Sequence, residues 1–264
     1  MCRFLAKISL NESPLSEELL DAENSLRKQS VNGCVPPGDP PGHADGCGLA
    51  YVKNGKIERE RRGKENVWDD GFVKLVRATK CQLAMAHNRK ATTKLGTNVS
   101  VERAHPFVRD LNGIPLAFCQ NGSIHAIIDQ ANRENLVDTE VYFKQILEGI
   151  EKADFEPLRN QVGCLAREYR KHPEGFTSLN ALLLSPTRLF AWRLFRTDDS
   201  RKRPAAGWYD GYYTLWWKRS ADQIVIASEP TDRGPGWEPL SNGQFIGISI
   251  NGRQISVEQK ELDF

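Results

Sequence analysis

Residues 2–10 alternate small, apolar and polar side chains, the period-2 pattern of a strand with two unlike faces. Pro14-Leu15-Ser16 then opens a run in which Leu15, Leu19, Leu20 and Leu26 share one helical face, predicting a helix through about Lys28. Glycines and prolines crowd residues 31–48 and break any regular element there. Two apolar-polar runs, 49–52 and 56–59, flank Asn54-Gly55, a pair suited to a tight hairpin. A short helix is predicted over 67–78, followed by a strand over 82–86 that ends at His87-Asn88-Arg89.

A second hairpin turns at Asn112-Gly113 and runs out through residues 114–119 into Gln120-Asn121-Gly122-Ser123. Helical patterns follow at about 136–150 and 155–171. After Pro173 the pattern returns to strands, at 179–184, 188–194, 212–218, 223–228, 244–250 and 254–257. Helices grouped as blocks beside antiparallel hairpins predict an α+β layer protein, not a doubly wound parallel sheet, and one domain over residues 1–264.

Composition narrows the function classes. Apolar residues make up 39% and charged residues 27%, as in a folded soluble chain. Lys and Arg number 36 against 34 Asp and Glu, a net charge of +2 that offers no global field for nucleic acid. No apolar run is long enough to span a membrane, and Arg3 and Lys7 interrupt the N-terminal segment too early for a signal-peptide core. The expected location is therefore the cytoplasm, where the 6 cysteines stay reduced. They form no C-x-x-C pair, and the 5 histidines include no pair four apart, so no metal site is expected. The basic and aromatic stretch from Arg201 to Trp217 reads as a solvated loop entering a strand, with a lid or partner surface as the alternative.

Cys2 is where chemistry enters. Removal of Met1 would leave a cysteine whose thiol and free α-amine belong to one residue, and such an amine titrates near neutral pH. A nucleophile activated by its own terminal amine can attack amides. By position alone, the plainer reading is a small buried cysteine that happens to begin a strand.

Four further segments bear on that choice: Gly42-His43-Ala44-Asp45-Gly46-Cys47-Gly48, Ala86-His87-Asn88-Arg89-Lys90-Ala91-Thr92, Cys119-Gln120-Asn121-Gly122-Ser123-Ile124 and Val137-Asp138-Thr139-Glu140-Val141. With Met1-Cys2, in this order, the chain resembles the stand-alone class II glutamine amidotransferases, the N-terminal-cysteine branch of the N-terminal nucleophile (Ntn) hydrolases. Ala227-Ser228-Glu229-Pro230 and the stretch from Trp237 to Gly243 resemble the end of such proteins. The resemblance implies a four-layer αββα sandwich and no cofactor.

It also implies roles. Cys2 would attack the side-chain amide of glutamine or of a γ-glutamyl small molecule, forming a γ-glutamyl thioester. The Asn121 amide and the Gly122 N–H would stabilise the oxyanion, a donor type whose removal costs about 2.7–4 kcal/mol in other enzymes. Arg89 and Thr92 would hold the substrate carboxylate, and Asp138 its ammonium. Read singly, Arg89 could be a surface arginine, Asp138 a helix cap and Asn121-Gly122 an ordinary turn.

Lys90, Thr93, Gln120 and Cys47 depart from residues common in the family, so the pocket rim and the substrate stay open. So does the choice between a free-standing amidohydrolase, a glutaminase that passes ammonia to a synthase partner, and a non-catalytic γ-glutamyl-binding module. Neither a nucleic-acid nor a membrane partner is expected.

Overall fold

Alternation along the strands sends successive side chains to opposite faces, and both faces find apolar partners. The computed structural model describes residues 2–36, 38–91, 99–196 and 211–264. In chain order the first elements are β1 (Arg3–Pro14), α1 (Leu26–Asn32), β2 (Gly46–Lys53), β3 (Lys56–Gly63), α2 (Asp70–Ala78) and β4 (Lys80–Asn88). A middle block holds β5 (Phe107–Leu111), β6 (Ile114–Asn121), α3 (Ile128–Glu134), α4 (Asp138–Glu148) and α5 (Phe155–Arg170). The rest are strands: β7 (Asn180–Leu184), β8 (Arg188–Trp192), β9 (Trp216–Arg219), β10 (Gln223–Ala227), β11 (Trp237–Pro239), β12 (Gln244–Asn251) and β13 (Gln254–Glu261).

Two antiparallel sheets result, ordered β11-β9-β10-β1-β4-β2-β3 and β13-β12-β8-β7-β6-β5. Phe4, Ala6 and Ile8 of β1 share the core between the sheets with Leu182 and Leu184 of β7. Leu5 turns the other way, into a core with Leu26 of α1 and Phe72 and Val76 of α2. Ala181 and Leu183 of β7 turn outward into a third core with α3, α4 and α5. The order of layers is thus helix, sheet, sheet, helix, the expected αββα sandwich. Burial on both faces explains why residues 181–184 are an unbroken apolar run where a half-exposed strand would alternate.

The helix expected through Lys28 is broken. β1 runs on to Pro14 with a register shift between Ile8 and Ser13, one π turn covers Glu17–Asp21, and α1 starts only at Leu26. Ser25 restarts the helix, its hydroxyl accepting from the Lys28 N–H at 3.4 Å. The buried pair Lys7–Glu18, at 2.7 Å, ties the π turn to β1. Leu15, Leu19, Leu20 and Leu26 still share one core, so the periodicity located the buried face but not the break. Tyr212 and Tyr213 precede β9 instead of opening it, and both are buried. Helix α3, at seven residues and mostly polar, carried no expectation at all.

Strand pairing decides which residues meet. β1 is antiparallel to β4 with Arg3 opposite Asn88, and β2 pairs with β4 through Cys47 opposite Asn88. The start of β1, the start of β2 and the end of β4 therefore lie side by side at one end of the first sheet. Among the described residues, no helix is long and apolar enough to cross a membrane.

Candidate functional site

Cys2 sits directly before β1 and is buried. Its main-chain N–H donates to Asn121 Oδ1 at 3.0 Å, joining the start of β1 in one sheet to the end of β6 in the other. That bond commits one arm of the Asn121 amide and leaves the Nδ2 arm as its donor. The Lys90 N–H donates to the Cys2 sulfur at 3.5 Å, a contact that stabilises negative charge on sulfur.

Gly122 follows Asn121 with φ 150°, a backbone conformation unfavourable to residues with a side chain. A Cβ there would stand 2.0 Å from the Ser178 carbonyl oxygen. The chain therefore turns tightly under Cys2 only because residue 122 is glycine.

Arg89 leaves the end of β4 with its backbone gripped on both sides by the glycine-rich loop. Its N–H donates to the Gly46 carbonyl at 2.8 Å and its carbonyl accepts from the Asp45 N–H at 2.9 Å. The side chain is buried, and its Nη1 has no hydrogen-bond partner among the described residues. Burial and the nearby Arg103 push the Arg89 pKa down, against the pull of Cys2, Asp45 and Asp138. A buried guanidinium arm without an acceptor is costly unless an anion meets it.

Asp138 is the first residue of α4 and is held from both sides. Its Oδ1 accepts from the Thr139 N–H at 2.9 Å and its Oδ2 from the Ile124 N–H at 2.8 Å. Burial raises its pKa, and these two bonds and Arg89 work against the rise. An arriving ammonium would favour its charged form.

These groups line one cavity, which includes Cys2, Arg89, Gln120, Gly122, Asp138 and Thr139. Cys2, Arg89, Asn121-Gly122 and Asp138 therefore come together from four separate stretches of chain, Asn121 through its bond to Cys2. Thr92 and Thr93 lie outside the described residues, as does most of the basic-aromatic stretch, residues 201–210.

Further side chains support the site, two of them, Gln120 and Lys90, at positions that depart from the family pattern. Gln120 bridges the site floor, donating to the Ser178 carbonyl at 2.8 Å and accepting from the Thr139 hydroxyl at 2.9 Å. Lys90 sends its ammonium to the carbonyls of Pro40 and Gly42, holding the proline-rich loop beside the site. Arg3, wholly buried, donates to the Cys2 carbonyl at 3.1 Å, and its Nε pairs with Glu229. Glu229 also accepts from the Cys34 N–H at 2.7 Å.

Cys47, one of the departures from the family pattern, is buried in β2 with its thiol pushed up to about 12 by burial. It packs and does not react. Among the described residues, no group of three or more His, Cys, Asp and Glu side chains is placed to hold a metal ion.

A family model described as glutamine amidotransferases class-II matches residues 30–261. Among curated proteins no sequence match is found. Among solved structures, the chain is similar to a glutamine phosphoribosylpyrophosphate amidotransferase from B. subtilis, with TM-score 0.61 and 18% identity over 98% of this chain. It spans only 49% of that enzyme. It is also similar to a glutamine aminotransferase class-II domain protein from Silicibacter pomeroyi, with TM-score 0.59 and 17% identity over 99% of both chains. A third likeness is to a predicted glutamine amidotransferase from Pseudomonas aeruginosa, with TM-score 0.52 and 16% identity, covering 96% of this chain and 99% of that one. At such identities the structural likeness establishes the fold.

Proposed function

The chain belongs to the class-II glutamine amidotransferases, and from that premise we propose that it is an N-terminal-cysteine amidohydrolase acting on glutamine or a γ-glutamyl amide. The observation that carries this reading is the cavity in which Cys2 meets a buried cation, Arg89, and a half-buried carboxylate, Asp138. A zwitterion fits that pair: Arg89 Nη1 takes the α-carboxylate and Asp138 the α-ammonium. Its side-chain amide then extends toward the sulfur.

In the proposed reaction, Met1 is removed and Cys2 keeps its contact to Asn121 through a free α-amine. The sulfur attacks the γ-carbonyl carbon while the thiol proton passes to that amine. Asn121 Nδ2 and the Gly122 N–H donate to the oxyanion. The amine returns the proton to the leaving nitrogen, so ammonia or an amine departs and a γ-glutamyl thioester remains. Water, deprotonated by the same amine, attacks the thioester and releases glutamate with the thiol regenerated.

A second reading has the chain pass its ammonia to a separate synthase partner. It draws support from the B. subtilis amidotransferase, of which this chain matches about half. A glutaminase of that kind turns over slowly alone and faster with its partner, whereas a free-standing hydrolase needs none. A third reading, a non-catalytic γ-glutamyl-binding module, needs no exposed Cys2.

The test is intact-mass analysis before and after treatment with diazo-oxo-norleucine. Loss of Met1 and a single adduct on Cys2 are expected. Retained Met1, or adducts spread over the other cysteines, would overturn the catalytic reading.

A further inference from the structure

We propose that Arg103 is a second cation for the substrate's α-carboxylate, so that the site selects free γ-glutamyl compounds and rejects glutamine whose α-carboxyl group is blocked. The inference rests on the functional reading above and narrows its substrate class.

Arg103 ends the short 3-10 turn Val101–Arg103 and lines the same cavity as Cys2, Arg89 and Asp138. The turn is pinned from outside by Arg61, whose Nη1 donates to the carbonyls of Glu102 and Ala104 at 2.7 and 2.9 Å. The Arg103 guanidinium is steered by Asn135, whose Oδ1 accepts from Nη2 at 2.9 Å. Asn135 is in turn fixed as the left-handed residue that ends α3, with φ 53°. A long cationic side chain is thus oriented at a cavity wall with no ion-pair partner among the described residues, its steering partner being an uncharged amide.

The charges lining the cavity do not balance. Three cationic side chains, Arg89, Lys90 and Arg103, face one carboxylate, Asp138. Lys90 spends its ammonium on the carbonyls of Pro40 and Gly42. Asp138 takes the substrate ammonium in the proposed pose, which leaves two guanidiniums for one α-carboxylate. Arg89 and Arg103 repel each other, and that repulsion adds to burial in weakening the protonated form of Arg89. A carboxylate shared between them removes the repulsion and supplies the acceptor that Arg89 Nη1 lacks. An α-amide or a peptide bond in the same place brings no charge and adds an N–H donor against two cations. Glutamine inside a polypeptide is excluded for the same reason.

The test compares kcat and KM for L-glutamine and L-glutamine α-amide in the wild-type protein, Arg103→Gln and Arg103→Lys. The wild type is expected to favour the free acid. Arg103→Gln is expected to raise KM for glutamine about tenfold, the scale of one charge-assisted hydrogen bond, with kcat within about twofold. KM for the α-amide should move much less, so the preference collapses, and Arg103→Lys should restore most of it. An Arg103→Gln protein that turns over both compounds with the wild-type preference overturns the role of Arg103 and leaves the functional reading standing. A wild-type protein that hydrolyses neither compound, yet binds L-glutamate normally by calorimetry, overturns the hydrolase reading instead. The clamp is then judged by L-glutamate affinity, which should fall about tenfold in Arg103→Gln and overturns the proposal if it does not.

Discussion

The Cys2 main-chain nitrogen and Asn121 Oδ1 lie 3.0 Å apart, and this bond ties the first strand of one sheet to the last residue of β6 in the other. One amide thereby serves two ends of the proposed reaction. Its oxygen orients the nitrogen that becomes the base, and its Nδ2 is left to face the oxyanion.

The two duties separate by substitution. Asn121→Asp keeps an oxygen for the Cys2 nitrogen and loses the Nδ2 donor, while Asn121→Ala loses both. Steady-state kinetics should show kcat down by roughly 10²–10³ in Asn121→Asp and further in Asn121→Ala, with KM for glutamine changed little in Asn121→Asp, because the missing donor contact forms only in the transition state. An Asn121→Asp protein with wild-type kcat would remove Asn121 from the oxyanion site.

Gly122 offers a structural test with an internal control. At φ 150° a Cβ would be driven to within 2.0 Å of the Ser178 carbonyl oxygen, so Gly122→Ala must displace backbone next to Cys2. Gly113, in the β5–β6 turn at φ 85°, has nothing within 4 Å of its would-be Cβ. Urea unfolding should show Gly122→Ala less stable by roughly 3 kcal/mol or more and Gly113→Ala by about 1 kcal/mol, the conformational part alone. Equal losses would mean that the contact with Ser178 is not a constraint.

What the sequence disclosed, and what it did not, follows from range. Cys2, Arg89, Asn121 and Asp138 sit at the ends of strands or the start of a helix, and it is the order of their motifs, matched to a known family, that singles them out, since read alone each has a plainer structural reading. The Asn54-Gly55 and Asn112-Gly113 hairpins are local, and both form. The Arg3–Glu229 pair joins residues 226 positions apart, and no periodicity reports such a contact. Arg103 was invisible because its turn is three residues long and its anchor, Asn135, ends a helix too short and polar to show a face. The broken helix before Asn32 escaped for the opposite reason: its leucines keep helical spacing across a break that Ser25 and the Lys7–Glu18 pair impose.

Glu229 is the counter-charge to the wholly buried Arg3 and also holds the Cys34 peptide. Glu229→Gln leaves a buried guanidinium beside Cys2 without a carboxylate. The full penalty for breaking a buried pair is reduced here because the Glu229 side chain is partly exposed, so a loss of about 2 kcal/mol is expected from denaturant unfolding. The loop carrying Cys34 should loosen as well, and a thiol reagent should modify Cys34 faster than in the wild type. Unchanged stability and unchanged Cys34 labelling would show that Arg3 is neutralised elsewhere.

The rings of His87 and His105 lie with centroids 4.1 Å apart and planes tilted by 44°, both buried beside Arg89. Burial first, and the Arg89 charge second, hold His87 down to about 3. Burial, and then His87 and Arg89, also hold His105 well below its ordinary 6.5. In the unfolded chain both imidazoles take up a proton near pH 6.5. The folded protein binds fewer protons below that pH, so its stability is intact above about 6.5 and falls as the pH drops toward 3. Each imidazole contributes a slope of about 1.4 kcal/mol per pH unit once its unfolded form is fully protonated. Between about pH 6.5 and 5, where few carboxylates titrate, urea midpoints should fall steeply for the wild type. A His87→Phe protein should fall about half as steeply over the same window, having lost one of the two protons. Parallel curves for the two proteins would mean that His87 is protonated in the folded state and does not stay neutral beside Arg89.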